Sequence, residues 1–322
     1  RSKKKKIIDK LIDTLIQIKG AYSLVILTNK KLIGVRDPFG IRPLVLGNKN
    51  GSPVLASETC ALDMIGAKYV RDIENGEIVV ITENGLESIK PFKKIQERPC
   101  IFERIYFASP DSLVGNKTVY TYRKALGEQL AIENSILADV VVPIPDSGVS
   151  AAIGFSQKSK IPFELGIIRS HYVGRTFIEP SQNIRQFGVK LKHSVNRSCI
   201  ENKKVILIDD SIVRGTTASK IVKMVYEAGA KEVHLGISCP PILHPDFYGI
   251  DTPNYNQLIA FKSNLQDITK LVGAKSLFFL SLSGTYKAMG CNERNSKSPQ
   301  FTDHCFTGDY PIDVSEILKL NR

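Results

Sequence analysis

Val205, Ile206, Leu207 and Ile208 run directly into two adjacent carboxylates, Asp209 and Asp210, which are followed by Ser211, Arg214, Gly215, Thr216 and Thr217. Four branched apolar residues in a row read as a buried strand of a parallel sheet, so the strand carries acid to the edge of that sheet. Beyond the loop, Ala218, Ile221, Val222 and Val225 share one helical face, and Gly229 stops the run. A strand, a small polar loop and a helix in this order leave backbone N–H groups at a helix N-terminus, at the carboxyl end of a parallel strand, where a phosphate is readily bound. The two carboxylates repel a phosphate and need a different task. They suit vicinal hydroxyls, from which they accept hydrogen bonds, or a hard cation such as Mg²⁺. A sugar phosphate satisfies both halves of the loop. The plainer alternative is a strand end with two solvated aspartates and an ordinary helix cap.

A second stretch repeats the pattern. Val140, Val141 and Val142 form another fully apolar strand, followed by Pro143-Ile-Pro-Asp-Ser-Gly-Val-Ser150 and a helix-like run over Ala151 to Gln157. Asp146, Ser147 and Gly148 therefore make a second candidate anion loop, although such a turn taken alone is commonplace. Two such loops suit a ligand carrying a diphosphate as well as a phosphate. Between them lies residues 169–185, without apolar periodicity but with Arg169, His171, Tyr172, Arg175, Thr176, Phe177 and Arg185 around Gly174. Solvated loops rarely keep Tyr, Phe and Ile together, so this segment reads as a lid that orders on binding.

The elements that position these loops belong to an ordinary globular chain, 43% hydrophobic and 24% charged over 322 residues, long enough for two domains. No apolar run approaches the roughly 20 residues of a membrane span. The chain opens on Arg1 and not on Met, which suggests a start inside a longer protein, and Lys3 to Ile18 reads as an amphipathic helix, not a secretory signal. Six scattered cysteines without a CxxC pair argue against a disulfide scaffold or zinc ribbon, and a cytoplasmic, reducing location is expected. The net charge of +12 is spread along the chain outside the first six residues, with no nucleic-acid recognition signature, so an anionic small substrate is the economical reading. Residues 21–27, 31–35, 44–46, 54–56 and 77–81 read as strands of an antiparallel unit. Within it, Arg36, Asp37 and Arg42 around Pro38 and Gly40 suit either a binding loop or a salt-bridged buried turn; composition favours the turn. Residues 90–99, with Pro91 and Pro99, read as a linker.

The run from Val205 to Thr217 closely resembles the phosphoribosyl pyrophosphate (PRPP) loop of type I phosphoribosyltransferases. Residues 20–27, 36–47 and 56–63 resemble the later part of a class II glutamine amidotransferase domain, and 100–112, 172–178, 238–251 and 306–311 continue the likeness. The chain is thereby identified as resembling the amidophosphoribosyltransferase family over essentially its whole length. The resemblance implies an α/β fold: part of a β-rich, Ntn-type glutamine amidotransferase domain over 1–98 and a type I phosphoribosyltransferase domain with a mainly parallel sheet over 99–322. It implies formation of phosphoribosylamine from PRPP and glutamine-derived ammonia, with release of pyrophosphate, at the entry to purine synthesis. Asp209 and Asp210 would hold the ribose hydroxyls, residues 211–217 the 5-phosphate and Asp146 to Gly148 the diphosphate. Arg169, Tyr172 and Arg175 would close over the ligand, and Ser147, Asp209 and Asp210 would be the Mg²⁺-associated positions.

In the family the glutaminase nucleophile is an N-terminal Cys. No cysteine of this chain occupies that place, Cys60 reading as a core residue, so the 322 residues alone are expected to use ammonia only. Many members hold an iron–sulfur cluster through four cysteines. By position these are Cys100, Asp246, Thr302 and Cys305 here, so no cluster is expected. Ser109 and His171 stand where the family usually has Arg. A homo-oligomer, feedback by purine nucleotides, and no nucleic-acid or membrane partner are expected. Two alternatives stay open at this level: a salvage phosphoribosyltransferase, which has no use for residues 36–44, and a PRPP-binding regulator without catalysis, which would need a helix-turn-helix where residues 19–90 read as strands.

Overall fold

A computed structural model describes residues 2–170, 193–252 and 254–320. Two compact units emerge, one of Arg1–Thr118, Asp246–Pro253 and Asn295–Arg322, the other of Val119–Pro245 and Asn254–Arg294. Among the described residues no helix is long and apolar enough to cross a membrane.

In the first unit the amphipathic pattern at the N-terminus forms α1 (Ile7–Leu15), whose Leu15 is buried with Ile33, Val35, Ile78 and Val80. These come from an antiparallel sheet of β1 (Ser23–Leu27), β2 (Leu32–Arg36), β6 (Ile78–Thr82) and β7 (Gly85–Ile89), in that order. A second antiparallel sheet runs β4 (Ser52–Ala56), β3 (Val45–Lys49), β5 (Lys68–Asp72), with α2 (Thr59–Met64) between β4 and β5 in sequence. Strands β5 and β7 escape the sequence pattern because both are edge strands with mainly exposed side chains, so neither carries the alternation that half-burial imposes. Cys60 lies on α2 only half-buried, its thiol 3.9 Å from the Glu58 carboxylate, and not in the core as expected from sequence.

The segment around Pro38 is a buried turn. Arg36 donates to the carbonyl oxygens of Arg42, Ile73 and Gly40, and Asp37 accepts the N–H groups of Phe39, Ile41 and Arg42. Arg36 also pairs with Glu97 at 3.2 Å, so both side chains are spent on the turn and its immediate neighbours, as in a salt-bridged buried turn. Arg42 instead reaches outward in sequence. Its guanidinium pairs with Glu103 at 2.5 Å and donates to the Tyr248 carbonyl at 2.8 and 2.7 Å.

Residues 90–99 form no regular element, yet packing carries the first unit on to Thr118, through a short hairpin of β8 (Leu113–Val114) and β9 (Lys117–Thr118). Glu58 is the reason at close range: its carboxylate accepts the Ser109 N–H at 2.7 Å and the Ser112 hydroxyl at 2.8 Å, while Thr59 Oγ1 accepts the Leu113 N–H. Ser109, where the resemblance leads one to expect Arg, is therefore held through its backbone, and its hydroxyl donates to Asp111. Removing the acceptor strands a fully buried hydroxyl. Glu58→Ala is expected to cost about 2–3 kcal/mol and to lower Tm by roughly 4–10 °C in a calorimetric scan, with Glu58→Gln recovering part of the loss.

Of the four positions at which the resemblance would place cluster ligands, Asp246 and Thr302 have other commitments and Cys100 and Cys305 are buried. Asp246 accepts the N–H groups of Tyr248 and Ile250 and lies 2.8 Å from His304 Nε2, both side chains being almost fully buried. Burial alone would push its carboxyl up, but the His304 contact and the two backbone bonds hold it below the usual carboxylate range. Thr302 donates its hydroxyl to the Arg98 carbonyl, and the Cys100 thiol is pushed up to about 12, chiefly by burial.

The second unit is built on a four-stranded parallel sheet, β10 (Val140–Pro143), β13 (Lys204–Asp209), β14 (Glu232–Ile237) and β15 (Ser276–Phe279), in that order. Strands β10, β13 and β14 are buried almost throughout, as continuous apolar runs require. Helix α3 (Val119–Glu133) crosses α4 (Val149–Ser159) at backbone contact through Gly127 and Gly154. A short antiparallel pair, β11 (Ile167–Arg169) and β12 (His193–Val195), flanks residues 171–192 in sequence.

Candidate active site

Strands β10 and β13 pair in parallel with Pro143 opposite Ile208, so the loops that follow them leave the same sheet edge side by side. β13 ends on Asp209, half-buried, and is followed by Asp210, 5% exposed. Asp209 Oδ1 accepts the Asp210 N–H at 2.9 Å and faces the Ser147 hydroxyl at 3.4 Å. Asp210 Oδ2 accepts the Ser211 hydroxyl at 2.5 Å. Burial, and then the neighbouring Asp210 charge, push the Asp209 carboxyl well above its ordinary range. Two acids that resist sharing ionisation are an invitation to a cation or to hydroxyl donors. Behind them Cys239 is fully buried, and burial, Asp210 and Asp209 together push its thiol well up, which suits packing and not nucleophilic chemistry.

The loop after β13 is anchored by buried Ile212 and turns at Gly215, whose φ of +76° favours glycine. Helix α5 (Thr216–Glu227) then starts with Thr216 and Thr217 exposed and with no side-chain cap on its first turn. The amphipathic face read from sequence, Ala218, Ile221, Val222 and Val225, is the buried one. Helix α4 likewise opens at Gly148 without a side-chain cap. Gly148 is forced by proximity: a Cβ there would sit 2.2 Å from the Ile208 carbonyl oxygen. The two loops thus present uncapped helix starts and small residues, the requirements of anion loops.

Asp146, at the first loop, forms an exposed ion pair with Arg169 at the end of β11, and the Pro145–Asp146 peptide is cis. The structure therefore brings Asp146, Ser147, Gly148, Arg169, Asp209, Asp210, Ser211, Arg214, Gly215, Thr216 and Thr217 to one edge of the second unit or to the segments bordering it. Tyr172, Arg175 and His171 lie outside the described residues. Sequence reasoning missed the segment at 255–259: Ile259 donates its N–H to the Val213 carbonyl at 2.8 Å, and Gln257 accepts a hydrogen bond from Arg214. A single 3₁₀ turn more than forty residues away has no periodicity to betray it.

Among the described residues no three His, Cys, Asp or Glu side chains group as a metal cage. Ser147 and Asp209 do offer hard oxygen donors facing each other, and the adjoining Asp210 offers a second carboxylate. Two carboxylates and a hydroxyl fit Mg²⁺, which keeps much of its coordination for water and phosphate oxygens.

A glutamine amidotransferase domain family matches residues 4–64. An amidophosphoribosyltransferase of Rhizobium etli is 58% identical over 94% of the chain, and one of Bacillus subtilis is 46% identical over 95% of it. The chain spans 62% and 64% of the length of these two relatives. The solved structure of the Bacillus subtilis glutamine PRPP amidotransferase, complexed with ADP and GMP, superposes with a TM-score of 0.91 at 45% identity, covering 98% of this chain and 69% of that one.

Proposed function

The chain belongs to the amidophosphoribosyltransferase family, and from that premise we propose that it joins ammonia to the anomeric carbon of PRPP, yielding 5-phosphoribosylamine and pyrophosphate in the first committed step of purine nucleotide synthesis. The observation that carries this reading is the pair of small polar loops leaving adjacent parallel strands, joined through Ser147 and Asp209. A phosphate at one loop and a diphosphate at the other span a ribose lying over Asp209 and Asp210.

In this reading the nitrogen lone pair of ammonia forms the bond to C1 as the C1–oxygen bond breaks, and the electron pair of that bond leaves with pyrophosphate. The added nitrogen then gives up one proton to solvent. No side chain need act as a strong base, since ammonia is already a nucleophile. Asp209 and Asp210 accept hydrogen bonds from the ribose hydroxyls and stabilise the positive charge that grows on the sugar ring. Ser211 to Thr217 receive the 5-phosphate on backbone N–H groups, with Arg214 as the loop's own cation. Asp146, Ser147 and Gly148 orient the leaving diphosphate, and Arg169, Tyr172 and Arg175 take the covering role read from the sequence. Ser147, Asp209 and Asp210 would hold Mg²⁺, which when bound would supply neutralisation of diphosphate charge.

Residues 1–98 are proposed to serve the glutamine amidotransferase side and 99–322 the transferase side, with glutamine as the source of ammonia in the longer family members. Feedback by purine nucleotides, a homo-oligomeric state and a cytoplasmic location belong to the same proposal; the ADP and GMP named for the Bacillus subtilis structure favour the first of these. Calorimetric titration tests the site: PRPP is expected to bind saturably and more tightly with Mg²⁺ present. A folded chain that takes up no PRPP under either condition contradicts the reading.

A further inference from the structure

Three consecutive positions of the loop after β13 are touched by one distant segment. The Val213 carbonyl accepts the Ile259 N–H at 2.8 Å. Arg214 donates through Nη2 to the Gln257 carboxamide oxygen. At Gly215 the Cα faces Ile259, so closely that a Cβ would meet Ile259 Cδ1 at 2.9 Å. Backbone, side chain and turn are each held by a separate contact, and all three come from residues 257–259.

That segment is itself anchored. The Tyr255 ring lies against Phe261 with centroids 4.4 Å apart, and the Tyr255 hydroxyl is 3.3 Å from His244 Nδ1. Ile259 is buried, and beyond it the helix α6 (Leu265–Val272) is capped by Asn264, which accepts the Asp267 N–H at 3.0 Å. The arrangement is a fixed support beneath a small loop that has few contacts of its own: Thr216 and Thr217 are exposed, and the first turn of α5 has no side-chain cap.

A phosphate loop works by pre-organisation, since backbone donors and a guanidinium that must be frozen on binding lose affinity to that ordering. Arg214 is the only cationic residue between Ser211 and Thr217, and a long exposed side chain is poorly placed by its own rotamers. Gln257 leaves the guanidinium its other donors while removing much of that freedom. We propose that Gln257 and Ile259 are positioning residues for the phosphate end of the ligand, holding Arg214 and the Gly215 turn in their binding arrangement. The proposal rests on the reading of residues 211–217 as a sugar-phosphate loop.

The test separates the two ends of the ligand. Ribose 5-phosphate carries the phosphate without the diphosphate; inorganic pyrophosphate is the converse. Gln257→Leu, close in size but without the acceptor, is expected to weaken ribose 5-phosphate binding and raise the KM for PRPP by about three- to tenfold, leaving pyrophosphate binding within twofold. In an Arg214→Met background the same change is expected to add less than about twofold, because the two side chains act as one unit. Ile259→Val, a smaller perturbation of the turn, should move ribose 5-phosphate binding in the same direction. Wild-type chain that binds neither ribose 5-phosphate nor PRPP overturns the loop reading itself. Wild-type chain that binds them, with Gln257→Leu unchanged, equally weakened toward pyrophosphate, or additive with Arg214→Met, overturns the positioning role alone.

Discussion

Asp209→Asn is expected to cut pyrophosphate release from PRPP by roughly a hundredfold or more while leaving the protein as stable as the wild type at neutral pH, or more stable. The two effects have one cause. Asp209 and Asp210 are consecutive acids at the end of a buried strand, and burial followed by the Asp210 charge raises the Asp209 carboxyl well above its ordinary range. The folded state then holds the Asp209 proton more tightly than the unfolded chain does. Its contribution to stability is greatest at low pH and is lost as pH rises through the carboxylate range to the raised value. Asn, which cannot ionise, escapes that loss. Denaturation curves for wild type and Asp209→Asn should therefore converge in acid and separate in favour of the variant as pH rises. Activity moves the other way, because an amide presents one acceptor and one donor where the ribose hydroxyls need acceptors. A variant that loses stability and activity together would mark Asp209 as a structural residue.

Gly127→Val in the second unit is expected to be severely damaging for folding. A Cβ at Gly127 would fall 1.8 Å from the Ala151 carbonyl oxygen, and one at Gly154 would fall 1.9 Å from that of Lys124. Neither obstacle is the far end of a flexible side chain, so α3 and α4 must separate. Ala152 and Phe155 of α4 are fully buried, and separation opens voids around them. Overpacking in a well-packed core commonly costs about 1–3 kcal/mol, and a backbone collision adds to this, so a loss of about 4 kcal/mol or more is expected. Denaturant titration should show a clearly lowered midpoint for Gly127→Val and Gly154→Val alike. A midpoint within error of wild type would mean that the two helices do not meet as described. Gly148→Ala belongs to the same class, but there the collision is with β13 beside the candidate site, so binding should suffer along with stability.

How much of this was legible before folding differs by region. The loop after β13 was readable because a continuous apolar run stops at residues that no buried strand would carry onward, and Gly215 and the Ala218 to Val225 face confirm strand, turn and helix in order. The turn at Arg36 to Arg42 was readable in kind but not in role. Only the geometry shows that Arg36 is spent on carbonyl oxygens while Arg42 reaches Glu103 and the Tyr248 backbone. Edge strands β5 and β7 lacked a signal because exposure on most of their length removes the alternation. The inclusion of 246–253 and 295–322 in the first unit was not readable either. It depends on partners far apart in sequence, such as Asp246 with His304 and Pro99 with Thr302, and local pattern carries no information on them. Gln257 and Ile259 escaped for the same reason.

Pyrophosphate release from PRPP, with Mg²⁺ and free ammonia as the nitrogen donor, tests the central claim most directly. Ammonia is the donor of choice because the chain spans only 62% of the length of the Rhizobium etli relative, so the assay asks nothing of the remainder. The account predicts release that depends on both PRPP and ammonia, matched mole for mole by phosphoribosylamine, and largely abolished by Asp209→Asn. Folded wild-type chain that binds PRPP yet releases no pyrophosphate with ammonia would contradict it and leave a PRPP-binding protein without catalysis.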